Sequence, residues 1–269
     1  MRSILVIVFV IAAQFANAET YYVTFVKGTV KLSTQAKNLA VGDKFTEKDQ
    51  LIFIDKAAKI SCISPGKGRF DITADKSSQN AKKEWVAIIK DALMPSFAAK
   101  QLSTRAFGDD QTDIEKSLKG SHPNNRILLI ENEWISLGSK YHLTEGGFFF
   151  IQYDVDGKTT VKKLPSSESA IAFNHSLFVN AKGETIAPEN ITSVALCMQE
   201  LKNGSKSSRI VLKFAPSMLS LDDFKSQATV LKNNLQGLKP AQVETELYNH
   251  FFSNYGYMDV ATFRRLIKS

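Results

Sequence analysis

The sequence predicts an α+β protein that is mainly β. We expect a small N-terminal β-sandwich or barrel, followed by a second antiparallel β-domain with a C-terminal helical segment. Three observations lead to this fold class: short β-rich segments recur through residues 21–75, alternating segments flank an Asp-Gly pair at 156–157, and apolar residues recur at helical spacing after residue 220. The composition, 43% apolar and 23% charged, is that of a globular protein.

Residues 1–18 carry the pattern of a secretory signal peptide. One basic residue, Arg2, precedes an apolar run from Ile4 to Ala13, and residues 16–18 form a small-x-small cleavage pattern. The apolar run is about half of the roughly 20 residues that a membrane-spanning helix needs. We therefore expect cleavage after Ala18, with a retained N-terminal anchor as the alternative. The mature chain is predicted to be exported and to contain no transmembrane segment.

Residues 19–76 are predicted to form the small N-terminal β-domain. Turn signals such as Gly42-Asp43 and Pro65-Gly66 separate its segments, because glycine adopts backbone angles that other residues resist. Short strands at intervals of roughly 8–12 residues are typical of a small sandwich or barrel. The predicted strands are Tyr21–Val26, Thr29–Leu32, Leu51–Ile54, Lys59–Ile63 and Arg69–Thr73.

Four motifs within this domain follow the spacing of a known family. They are Val26-Lys27-Gly28-Thr29-Val30, Leu39-Ala40-Val41-Gly42-Asp43, Asp49-Gln50-Leu51-Ile52 and Ala57-Ala58-Lys59-Ile60. In these motifs, about a fifth of the chain resembles the periplasmic domains of FecR-type proteins. Such proteins relay an extracytoplasmic signal through a membrane helix to a cytoplasmic sigma factor, and this sequence shows no apolar segment of that length. The resemblance implies a small envelope-located β-domain that binds a partner, in the periplasm or, alternatively, secreted.

Residues 77–125 are predicted to form a helix followed by a polar connector. Between Lys82 and Leu93, apolar residues at offsets of 0, 3, 4 and 7 from Trp85 share one helical face. The stretch 102–125 is polar, with a short helix expected near Asp113 to Leu118. This segment therefore separates the two predicted β-domains.

Residues 126–216 are predicted to form the antiparallel β-domain. Its clearest signal is a hairpin in which Gly147–Val155 and Lys158–Leu164 flank Asp156-Gly157, since type I′ turns require positive φ at both central residues. The other predicted strands are Ile127–Ile130, Leu177–Val179, and the hairpin pair Ile191–Leu201 and Ser207–Phe214.

Three consecutive aromatic residues stand in the first of these hairpins. Strand alternation places Phe148 and Phe150 on one face and Phe149 on the other. At least one of the two faces must then be covered by another element. We expect core packing, with a partner-binding surface at these three residues as the alternative.

Residues 217–269 are predicted to be helical. Ser220 to Asp223 resembles a capping box, Pro240 suits the first turn of a second helix, and Asp259 caps a third. Each helix carries an apolar stripe, which must be buried against another part of the protein or against a partner. Packing on the protein's own sheet is expected, and a partner-binding helical tail is the alternative.

The two cysteines, Cys62 and Cys197, lie in apolar, strand-like segments. An oxidising compartment would allow them to form a disulfide, which would join the two β-domains. The other interpretation is two buried free thiols that act as small core residues. The sequence has no C-x-x-C motif, so thiol–disulfide exchange is not predicted.

Motifs for enzymatic chemistry are missing from the sequence. The four histidines, at positions 122, 142, 175 and 250, have no H-E-x-x-H spacing, and G-x-S-x-G is absent. Glu246 and His250 are four residues apart on one predicted helix, which favours an ion pair over a metal site. We therefore assign no catalytic, cofactor-binding or metal-ligating residue and expect no cofactor.

Charge and motifs together lead to a functional hypothesis. The net charge of +7 arises from dispersed basic pairs, whereas a nucleic-acid binder concentrates basic residues with aromatic ones on one element. We expect a non-catalytic exported envelope protein with a binding or scaffold role, whose partner is an envelope protein or a cell-surface component. The alternatives are an extracytoplasmic hydrolase acting on glycan or peptide through dispersed carboxylates, and an envelope sensor or inhibitor that binds a protein.

Overall fold

A computed structural model describes residues 19–33, 37–65, 68–74, 113–120, 122–141, 143, 145–202 and 205–268. The predicted fold class is confirmed, since the chain is α+β and mainly β, with antiparallel sheets and a C-terminal helical segment. None of the described helices is long and apolar enough to cross a membrane. The predicted signal peptide and the helix predicted between Lys82 and Leu93 lie outside the described residues.

The described residues divide into two compact units. The first holds those between 19 and 74 together with Thr229–Lys239. The second holds those from 113 to 228 together with 240–268.

The first unit contains six short strands in two antiparallel sheets. They are β1 (Thr20–Lys27), β2 (Val30–Leu32), β3 (Lys44–Thr46), β4 (Leu51–Phe53), β5 (Lys59–Ser64) and β6 (Gly68–Thr73). One sheet has the order β3-β1-β5-β6, and the other pairs β2 with β4. Alternate residues of β1 enter the core, where the rings of Tyr21 and Phe70 meet edge-on with centroids 5.3 Å apart. The short strands predicted between residues 21 and 75 are thus confirmed.

Two turns in this unit show why glycine and aspartate occupy their positions. Gly28 has a φ of +71°, and a Cβ there would lie 2.9 Å from a carboxylate oxygen of Asp55. That carboxylate accepts a 2.6 Å hydrogen bond from the backbone N–H of Thr29. At the next turn Gly42 has a φ of +90°, and the adjacent Asp43 accepts a hydrogen bond from the Ala40 N–H at 2.8 Å. These motif residues define turns between strands.

The second unit is organised around a five-stranded sheet. Its strands are β7 (Arg126–Ile130), β9 (Phe148–Val155), β10 (Lys158–Lys163), β12 (Val194–Lys202) and β13 (Ser205–Leu219), and the pair β8 (Trp134–Ser136) and β11 (Ala170–Ala172) lies apart. The sheet order is β10-β9-β12-β13-β7. Both predicted hairpins are present, and Asp156 and Gly157 have φ values of 51° and 70°, as a type I′ turn requires.

Strand β13 changes partner along its length. Its first part pairs antiparallel with β12, and Ala215 to Leu219 then pair in parallel with β7. The sequence predicted a β-domain that ends at residue 216. In the structure β13 continues to Leu219, with Pro216 inside the strand opposite Ile127, and its parallel pairing with β7 joins an otherwise antiparallel sheet.

The described residues also form four α-helices, and residues 229–234 of the second of them belong to the first unit. They are α1 (Ile114–Leu118), α2 (Leu221–Asn234), α3 (Pro240–Tyr255) and α4 (Val260–Lys268). The predicted caps are present. Ser220 Oγ accepts the N–H of Asp223 at 3.0 Å, and Asp259 accepts the N–H of Thr262 at 2.9 Å.

The short helix predicted near Asp113 to Leu118 is confirmed as α1, and its Ile114 and Leu118 are buried in the core of the second unit. One local prediction is wrong. The strand predicted at 177–179 is absent: a 3₁₀ turn covers His175–Leu177, and Val179 forms only an isolated bridge with Thr185. That segment is too short for periodicity to distinguish its conformation.

Candidate interaction surface

One face of the five-stranded sheet forms the main core of the second unit. Phe149, Ile151 and Tyr153 alternate into this core and are at most 2% exposed. The ring of Phe149 meets that of Tyr141 edge-on, with centroids 6.1 Å apart. Phe149 therefore cannot belong to a partner surface, which corrects that part of the prediction. Phe148 and Phe150 lie half-buried on the opposite face of the strand.

The opposite face, over β10, β9, β12 and the first part of β13, is named here the open face. Antiparallel partners share a face, so the strand register defines its rows. One row across the four strands holds Lys163, Phe150, Cys197 and Ile210. The next row holds Val161, Gln152, Ala195 and Lys213. The apolar and basic side chains of the whole open face are Phe148, Phe150, Val161, Lys163, Cys197, Leu201, Lys206, Ile210 and Lys213.

Large apolar side chains project from the open face into solvent. Ile210 is 56% exposed, Val161 55% and Leu201 42%. Among the described residues, six large apolar side chains are exposed in this way, and three of them stand here. A single exposed apolar residue is ordinary, whereas several on one sheet face beside two half-buried phenylalanines indicate an interaction surface.

Lysines accompany these apolar side chains. Lys163 Nζ lies 5.0 Å from the ring centroid of Phe148, in cation–π geometry. Lys213 and Lys206 stand on β13, in register with Ala195 and Leu201 respectively. The carboxylate of Asp154, at the end of the same face, accepts a 2.6 Å hydrogen bond from Thr159 Oγ1. The open face is thus both apolar and basic.

The same side of the sheet is covered where β13 pairs with β7. Leu128 and Ile130 point away from the main core, yet they are at most 5% exposed, and α3 packs on β7. The helices are themselves joined by aromatic contacts, including stacked rings of Phe224 and Phe251 with centroids 4.2 Å apart. The C-terminal helices are therefore joined to the protein's own sheet through α3, which packs on β7.

The cysteines are buried in separate units. Cys62 has no exposed surface, and burial, followed by the charge of Asp71, raises the pKa of its thiol well above the usual value. Cys197 is 3% exposed; burial raises its thiol pKa, and the nearby Lys213 ammonium partly offsets that rise. Each is a free thiol in the structure, and a disulfide between them stays a prediction.

A carboxylate–imidazole pair that the sequence analysis missed lies near β8. Glu131 Oε1 is 3.0 Å from His175 Nδ1, and this hydrogen bond holds the pKa of Glu131 below its usual value. The adjacent hydroxyl of Ser176 donates to Asn174 Oδ1 at 2.6 Å, which directs it away from the imidazole. Spacing could not reveal this pair, because its members are far apart in the chain. The contacts are those of a hydrogen-bonded pair that joins the turn after β7 to the 3₁₀ turn at His175, rather than of an activated nucleophile.

His250 belongs to a buried polar network between α2 and α3. Its Nε2 lies 3.1 Å from Gln227 Oε1, and its Nδ1 lies 3.3 Å from Asn254 Nδ2. Gln227 Nε2 in turn donates to Tyr255 Oη at 2.7 Å. In the Nε2–H tautomer, the imidazole donates to Gln227 Oε1 and accepts from the Asn254 amide, so each of these two contacts is a hydrogen bond. The predicted ion pair with the buried Glu246 stays a prediction.

Within the part of the chain that the structure describes, no group of three or more His, Cys, Asp or Glu side chains could hold a metal ion. Comparison of the chain with family models, with curated proteins and with solved structures finds no match. The resemblance to FecR-type domains is therefore carried by the motif residues alone. The open face is the surface of the described residues that most clearly departs from an ordinary solvated one.

Proposed function

We propose that this chain is an exported, non-catalytic protein of the bacterial cell envelope, and that it binds an envelope component through the open face. The observation that carries this proposal is the exposure of Ile210, Val161 and Leu201 together on one side of a sheet whose other side holds the main core of the second unit. Burial of such side chains by a partner would be favourable by roughly 25 cal/mol per Å² of apolar surface removed from water.

The export pattern in residues 1–18 and the FecR-like motifs support an envelope location, in the periplasm or, as the alternative, outside the cell. The motif residues of the FecR-like unit form turns and contribute no reactive group, so the binding role is assigned to the open face alone. The partner is an envelope protein or a cell-surface component. Signal relay to a sigma factor is not part of the proposal.

A binding assay on isolated envelopes tests the role of the open face. We expect the protein to sediment saturably with envelope fractions, and the double variant Val161→Asp/Ile210→Asp to lose most of that binding. The matched control is Ile54→Asp, because Ile54 is 57% exposed, almost the same as Ile210, but lies in the other unit. Equal retention of the wild type and the double variant would overturn the assignment of the binding surface.

The non-catalytic part of the proposal has its own test. Purified protein should show no turnover of peptidoglycan, polysaccharide or peptide substrates. Glu131, paired with His175, is the carboxylate to replace if turnover is found. Turnover that Glu131→Gln abolishes would replace the binding role with that of a hydrolase.

A further inference from the structure

The chemistry of the open face points to a particular kind of partner. We propose that the open face docks on an anionic lipid surface, so that its apolar side chains enter the headgroup region while its lysines contact lipid phosphates. The inference rests on the proposed role of the open face as a binding surface.

The apolar side chains are arranged for shallow insertion. Ile210 and Val161 project from strands on opposite sides of the β9–β12 pair, and Leu201 projects near the end of the β12–β13 hairpin. All three are well exposed, whereas Phe148 and Phe150 between them are half-buried. A broad, shallow set of apolar side chains suits the boundary between headgroups and acyl chains, into which interfacial segments insert by about 5–10 Å.

The charge of the open face is complementary to anionic lipid. Lys163, Lys206 and Lys213 stand among or beside the apolar residues, against one carboxylate, Asp154, which is already hydrogen-bonded to Thr159. Each basic residue near an anionic membrane surface contributes about 1 kcal/mol of attraction. A second copy of the chain is a poor occupant, because it would bring lysines against lysines.

Vesicle co-sedimentation tests this inference directly. We expect the protein to bind vesicles of phosphatidylglycerol and phosphatidylcholine in equal parts, and to bind vesicles of phosphatidylcholine alone far more weakly. Lys163→Gln/Lys213→Gln should lower the affinity by roughly 25-fold, since each lysine is worth about fivefold. Ile210→Gln should lower it by about tenfold or more through the lost apolar insertion. Added salt should weaken the wild type more than the double lysine variant.

Lys48→Gln/Ile54→Gln is the matched control, with one exposed lysine and one exposed isoleucine removed from the other unit. It should bind anionic vesicles like the wild type. All variants should keep the wild-type circular dichroism spectrum and melting temperature, because the replaced side chains lie on the surface.

The outcomes separate this inference from the proposed function. Envelope binding that depends on Val161 and Ile210, without binding to either vesicle, would overturn the lipid inference and leave a protein or glycan partner on the same face. Vesicle binding unaffected by the open-face variants would also overturn it. If the open-face variants bound both envelopes and vesicles as the wild type does, the proposed function would be overturned as well.

Discussion

Replacement of Phe149 by alanine tests the division of β9 into a core face and an open face. Phe149 has no exposed surface and lies in a core cluster with Ile151, Tyr153 and Leu196. Removal of a buried phenylalanine side chain costs about 3–5 kcal/mol through lost transfer energy and the cavity left behind. The edge-on contact with Tyr141 places the cost in the upper part of that range.

The neighbouring residue supplies the matched control. Phe150→Ala removes the same atoms from the same strand, but from a half-buried side chain on the open face. We expect a cost of about 1–2 kcal/mol, in proportion to the smaller apolar area withdrawn from water. The two variants should therefore differ by at least about 2 kcal/mol in the free energy of unfolding of the second unit.

Denaturant titration followed by hydrogen-exchange mass spectrometry measures this difference locally. Peptides from β9 and β12 report the second unit, and peptides from β5 report the first, which neither substitution touches. Equal destabilisation by Phe149→Ala and Phe150→Ala would refute the assignment of the two faces, and with it the placement of the open face.

Four further outcomes are expected. Gly256→Ala should destabilise the second unit by roughly 1–3 kcal/mol in thermal unfolding, because Gly256 has a φ of +119° and a Cβ there would lie 2.5 Å from the Arg126 carbonyl oxygen; an unchanged melting temperature would contradict this geometry. Glu131→Gln should cost at most about 1 kcal/mol at neutral pH. The folded-state pKa of Glu131 is lowered, so the difference in unfolding free energy between the wild type and the variant should persist above the unfolded-state pKa. It should vanish as the pH falls through the folded-state pKa, and a difference that grows in acid would contradict the lowered pKa. Cys62 and Cys197 should react with a maleimide only on unfolding, whereas an intact mass lower by two hydrogens would establish the disulfide instead. Sequencing of exported protein should begin at Glu19, and a start at Met1 would favour the retained anchor.

The parts of the fold that followed from the sequence are those with strong local signals. The Asp156-Gly157 hairpin, the capped C-terminal helices and the turns at Gly28 and Gly42 each depend on residues within a few positions of one another. Local steric rules apply directly at such places. The existence and type of these elements could therefore be predicted.

The features that could not be predicted depend on distant residues. The parallel pairing of β13 with β7 brings Pro216 opposite Ile127, and no local signal relates residues so far apart in the sequence. The open face emerged only when the register placed Ile210 beside Cys197 and Val161 beside Gln152, since no local pattern relates those strands. Of the open face, the sequence pointed only to Phe148 and Phe150. The lysines that give the open face its charge look, in the sequence, like the other dispersed basic residues.

The partner change within β13 also bears on the order in which the five-stranded sheet forms. Strand β7 begins at residue 126, but the part of β13 that pairs with it begins at residue 215. Closing so long an interval is slow, because much chain entropy is lost before the pairing stabilises it. If the chain is exported from its N-terminus, as proposed, β7 can pair with β13 only after most of the chain has crossed the membrane. The unfinished sheet would then keep the second unit unfolded during transport.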